Sequence, residues 1–73
     1  MAETLQNQVV IGETYRMIHQ RKGTAVVRVT GLAGEWIDIV VVEGTLRGMG
    51  QGSLREVGDE ERVRDSLARF VSV

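Results

Sequence analysis

The chain has 73 residues, 42% hydrophobic and 26% charged, with nine Lys and Arg against ten Asp and Glu, no cysteine and no proline. That length admits one domain, and the near-average composition excludes a disordered tail or a low-complexity linker. A formal charge of −1 gives no global field to attract nucleic acid or anionic lipid, and without cysteine there is no disulfide and no thiolate metal site.

A single core of this size is worth roughly 3–5 kcal/mol, so strand pairing or self-association has to do what a covalent staple would. Residues 1–8 are polar and aperiodic and read as a flexible N-terminal arm, leaving 9–73 as the single domain. The N-terminus has neither a positive n-region nor an apolar h-region, and the longest apolar run is Ile39-Val40-Val41-Val42. A membrane span needs roughly 18 apolar residues, so a soluble, unexported, cytoplasmic protein is expected.

From Val9 the pattern changes. Residues 14–20 read as a first strand, and Arg21-Lys22-Gly23 as a turn. The β-branched run at 24–30 predicts a second strand, and Gly31-Leu32-Ala33-Gly34 turns the chain back. Residues 35–43, centred on Trp36-Ile37-Asp38-Ile39-Val40-Val41-Val42, predict a third strand and complete an antiparallel meander. Glycines at 44, 48, 50 and 52 then predict a bulge, a bend or a mobile loop, with a short extended piece at 54–57.

The C-terminal third supports two readings. Asp59 can N-cap a helix whose apolar face is Val63, Leu67, Phe70 and Val71, with Glu60–Arg64 and Asp65–Arg69 as i,i+4 pairs. The alternation at Arg62-Val63-Arg64 and the composition of Phe70-Val71-Ser72-Val73 fit a strand, one helical turn at 66–69, and a final strand.

Side-chain alternation sorts the strands into faces. With Arg28 and Asp38 in water, Val27, Val29, Ile37, Ile39 and Val41 point inward, and Val26, Trp36, Val40 and Val42 share the outer face. That outer face is too apolar to stay wet. Either Val9-Val10-Ile11 or the C-terminal segment folds over it, or it is a homodimer contact, or it docks another protein with Trp36 as the anchor. A second cluster, Arg16, His19, Arg21 and Lys22 with Arg47 approaching from the loop, reads either as a patch for phosphate, RNA or an acidic protein surface, or as a solvated hairpin that protects an edge strand.

Little else points to chemistry. Gly48-x-Gly50-x-Gly52 lacks the spacing of a dinucleotide fingerprint and the Lys-Ser/Thr of a P-loop. His19 is the lone histidine with no carboxylates at ligand spacing, and there is no Gly-x-Ser-x-Gly elbow. Neither an enzyme, a metal site nor a cofactor is expected.

The stretch from Gly12 through Tyr15 to Gly23, followed by Glu35-Trp36-Ile37-Asp38-Ile39, resembles small SH3-like proteins encoded in bacteriophage and prophage genomes. Residues 63–73 look like the strand, turn and strand that close such a fold, the last strand returning to the first. The resemblance covers most of residues 12–73. It implies a mainly β fold, an SH3-like barrel of about five strands, with one helical turn or short helix near residues 59–69. The alternative is α+β, a three-stranded meander with a full C-terminal helix across it. Three aromatic residues are too few for a proline-peptide groove or a methyl-lysine cage. The expected function is a non-catalytic protein-binding module that modulates a host or defence complex. The alternative is a nucleic-acid-binding accessory protein using Arg16, Arg21, Lys22 and Arg47.

Overall fold

The computed structural model describes residues 7–48, 50 and 52–73. Three long strands come first: β1 (Thr14–His19), β2 (Gly23–Ala33) and β3 (Trp36–Gly44). A small hairpin, β4 (Leu46–Arg47) and β5 (Leu54–Arg55), precedes β6 (Glu60–Arg64), a single 3-10 turn at Asp65–Leu67, and β7 (Ala68–Ser72). The main sheet is antiparallel in the order β6-β3-β2-β1-β7. The protein is mainly β. The alternative with a C-terminal helix is incorrect: residues 60–64 pair with β3 and residues 68–72 with β1. Two sets of ladder bonds and a buried Val63 outweigh the helical i,i+4 charge pairs, each worth only about 0.2–0.5 kcal/mol.

The topology forces curvature. Edges of a flat five-stranded sheet lie about 19 Å apart at a spacing of about 4.8 Å, yet three residues join β6 to β7. In a 3-10 turn, rising about 2 Å per residue, those residues cannot cross that distance, so the sheet curls until its edges approach. Two bulges help it bend. Thr30 is the extra residue between Val29↔Ile39 and Gly31↔Asp38, and Val42 is the extra one between Val26↔Glu43 and Val27↔Val41. The Thr30 bulge also explains why β2 continues to Ala33, past the expected turn: the added residue re-phases the strand, so residues 31–33 still pair with 36–38. The reversal is a two-residue turn with Gly34 at φ +61°, leaving Glu35 at negative φ. No ladder joins β6 to β7, so the sheet is not closed.

The expected inner face is buried: Val27, Val29, Ile37, Ile39 and Val41, joined by Met17, Ala25, Val63 and Ala68. Leu46 adds a plug that sequence reasoning did not foresee. It anchors the glycine-rich segment, which is the β4–β5 hairpin (Leu46↔Arg55, Arg47↔Leu54) and not an unstructured loop. At the open β7 edge, Asn7 stands in for a strand. Its side-chain amide donates to the Ala68 carbonyl (2.8 Å) and to Asp65 Oδ1 (2.8 Å), and its Oδ1 accepts from the Phe70 N–H (3.3 Å). Of the expected arm, residues 1–6 lie outside the described residues, and Asn7 is fixed by these bonds.

Candidate functional site

The site begins with the β1–β2 turn. His19 ends β1 on its inward-facing side, opposite Ala68, and is 5% exposed. Its Nδ1 accepts the backbone N–H groups of Arg21 (3.0 Å) and Lys22 (3.1 Å). An atom accepting two bonds carries no proton, so the imidazole is neutral with its hydrogen on Nε2. Burial, reinforced by the Lys22 and Arg21 charges, holds its pKa below the usual histidine value. Nε2 has no partner among the described residues, and no fully buried side-chain nitrogen or oxygen lacks one. The free N–H therefore reaches solvent, in the pocket that His19 helps line.

Glu61 ties the turn to the hairpin and to β6. It sits opposite Ile39 on the inner side of the sheet, 11% exposed, with Lys22 Nζ at 3.0 Å and Arg55 Nε at 3.7 Å. The Lys22 carbonyl accepts the Arg47 N–H at 2.9 Å, which brings Arg47 beside the turn. At Gly48 the Ser53 and Arg55 side chains close over the backbone and would have to shift to admit a Cβ. A Cβ there would lie 2.6 Å from Ser53 Oγ and 2.7 Å from Arg55 Nη1.

The facing wall is set by register. Trp36 stands opposite Arg64, whose guanidinium lies 4.6 Å from the ring centroid, and Arg64 also pairs with Glu35 at 2.9 Å. One pair along the ladder, Arg62 Nε donates to Asp38 Oδ1 at 2.7 Å, and that bond holds the Asp38 carboxyl below its usual pKa.

Between the walls, where the 3-10 turn returns β6 to the end of β1, lies an open pocket of about 470 Å³. Trp36, Val63 and Leu67 form its apolar lining. Arg21, Lys22, Arg47, Arg62 and Arg64 supply five cations. Lys22, Arg62 and Arg64 are bonded to carboxylates of this chain, whereas Arg21 and Arg47 have no ion pair among the described residues.

Two groups of residues that the sequence keeps separate thus meet. Trp36 shares the pocket with His19, Arg21, Lys22 and Arg47. Val26, Val40 and Val42 do not: Val26 lies between Arg16 and Glu43, Val40 between Arg28 and Glu60, and Val42 projects at a bulge. Arg16 is also elsewhere, opposite Val26 and Val71. The expected cover by residues 9–11 is incorrect, since Val9 packs against the core while Val10 and Ile11 are 59% and 56% exposed. Sequence reasoning missed Arg62, Arg64, Leu67 and Glu61. Pairing β6 with β3 would have found the first two, because Asp38/Arg62 and Trp36/Arg64 then fall opposite each other.

Among the described residues no group of three or more His, Asp or Glu side chains is placed to hold a metal ion, and no helix is long and apolar enough to cross a membrane. The molecule is a small open β-sheet domain with a cationic, Trp-walled pocket at its seam. No protein-family model matches the chain, and comparison with curated proteins and with solved structures finds no significant similarity.

Proposed function

We propose that the chain is a non-catalytic protein-binding module, a small SH3-like barrel with an unsealed seam, that engages its partner at the Trp36 pocket. The observation that carries this reading is the placing of two guanidiniums, Arg21 and Arg47, that have no ion pair among the described residues beside an apolar wall and an edge strand. The Asp65 N–H bonds to the Glu35 carbonyl, so the odd-numbered residues of β6 face β3 and the backbone of Arg62 and Arg64 faces outward. The Arg62 N–H donates to Glu61 Oε1 at 3.3 Å, a long and exposed bond that an extended peptide adding to this edge would replace while one of its side chains enters the pocket. A nucleic-acid backbone is less well served, because three of the five cations are already neutralised and Glu35, Asp38 and Glu61 lie among them.

The resemblance to phage- and prophage-encoded proteins, together with the small size, supports a role in which the module modulates a host or defence complex. Affinity capture with tagged protein tests the reading. A partner retained after nuclease treatment, and lost with Trp36→Ala and with Arg21→Glu/Arg47→Glu, is the expected result. Recovery abolished by nuclease would transfer the function to nucleic acid. Capture unchanged in both folded variants would remove the pocket from it.

A further inference from the structure

We infer that the seam pocket is a carboxylate-binding site, and that the partner segment presents one carboxylate next to an apolar side chain. The inference rests on the protein-binding reading and adds the chemistry of the ligand. Three donors line the one pocket with no acceptor among the described residues: the Arg21 and Arg47 guanidiniums, and the Nε2–H of His19, a side chain that is 5% exposed. The backbone N–H groups of Arg21 and Lys22 hold His19 as a donor there by occupying Nδ1. Guanidinium forks fit carboxylate oxygens, and charge-assisted bonds are about twice as strong as neutral ones.

Paired charges narrow the choice of anion. Glu61, Asp38 and Glu35 neutralise Lys22, Arg62 and Arg64, so among the described residues only Arg21 and Arg47 supply unpaired positive charge to the pocket. Their planar forks match the two oxygens of a carboxylate, and a phosphate dianion is the competitor to test. Beyond the charged mouth, Trp36, Val63 and Leu67 offer an apolar wall. The carboxylate can come from a chain terminus or from an Asp or Glu side chain.

The test is a 15N NMR titration of the full chain with four small probes. N-acetylphenylalanine carries a terminal carboxylate, and N-acetylphenylalanyl-aspartate amide carries a side-chain one. N-acetylphenylalanine amide has no charge, and phenyl phosphate is a dianion. At least one acid is expected to shift the His19 ring and Trp36 indole signals, with the uncharged amide weaker by about tenfold or more. Arg21→Gln/Arg47→Gln, compared at a thermal midpoint matching the parent, is expected to lose a similar factor; which acid binds more tightly identifies the source. Equal binding of the amide, tenfold tighter binding of phenyl phosphate, or shifts unchanged in the double variant would overturn the inference. If the acids fail while pocket variants still abolish protein capture, the ligand class falls and the module reading stands. If the acids bind but capture ignores the pocket, the module reading falls instead.

Discussion

The two walls of the seam pocket carry the same kind of residue and treat it differently. On the β6–β3 wall each arginine faces a partner across the ladder: Arg62 meets Asp38, and Arg64 meets Trp36 and Glu35. On the turn-and-hairpin wall, Lys22 is consumed by Glu61, while Arg21 and Arg47 face no carboxylate of the described chain. The first wall is solved by strand register alone. The second is assembled from loops held in place by His19, Glu61 and Leu46, and its charges are left over. Charges that a fold has already partnered support structure, and those it brings together without partners are the ones available to a ligand.

The sharpest break in this contrast is at Glu61, the carboxylate that joins the two walls. Glu61→Gln leaves Lys22 and Arg55 facing a neutral amide in a half-buried position, at an expected cost of about 2 kcal/mol. In a domain of this size that is a large share of total stability. Urea denaturation should show a markedly lower midpoint at unchanged slope. Asn7→Ala comes next. It removes the amide that bridges Asp65, Ala68 and Phe70 at the open edge, at an expected cost of about 1–2 kcal/mol by the same assay. No change would mean that the β7 edge needs no cap.

How much of this was legible from sequence follows the same division. Alternation placed Val27, Val29, Ile37, Ile39 and Val41 inside, because a period of two along a strand needs only local information. The strand, turn and strand over residues 60–72 competed evenly with a helix, because the Glu60–Arg64 spacing suits both an i,i+4 pair and the two ends of a strand. Only long-range pairing with β3 and β1 decides it. The hairpin at Leu46 was hidden behind glycines, although the Leu-Arg dipeptides at 46–47 and 54–55 mark its two strands. The pocket was least visible. Trp36 and Arg21 come together through the curl of the sheet, and nothing in local spacing reports on curl.

His19 sharpens the comparison through pH. Its folded pKa is depressed, so the folded state refuses a proton that the unfolded chain accepts near pH 6.5. The stability it contributes is complete above that value. It declines as pH falls from about 6.5 toward the lower folded value, below which both states are protonated and the contribution is gone. Protonation of Nδ1 would also set a third N–H against those of Arg21 and Lys22. His19→Gln should therefore cost about 1 kcal/mol at pH 7.5 and flatten the decline between pH 6.5 and 5. An equal slope in the variant would place the acid sensitivity elsewhere.

The smallest stability effect belongs to the residues the site depends on most. Arg64→Gln removes a cation from the Trp36 ring and a partner from Glu35, worth about 0.5–1 kcal/mol at an exposed position. Arg21→Gln/Arg47→Gln removes two charges that bond to no carboxylate of the described chain, and its thermal midpoint should match the parent within the spread of ordinary surface substitutions, about 0.5 kcal/mol. It can even be slightly more stable, since two like charges no longer share one pocket mouth. A double variant that instead lost as much as Glu61→Gln would show that both arginines are structural, and the division between the two walls would collapse. Unchanged stability together with lost anion binding would locate function on the turn-and-hairpin wall.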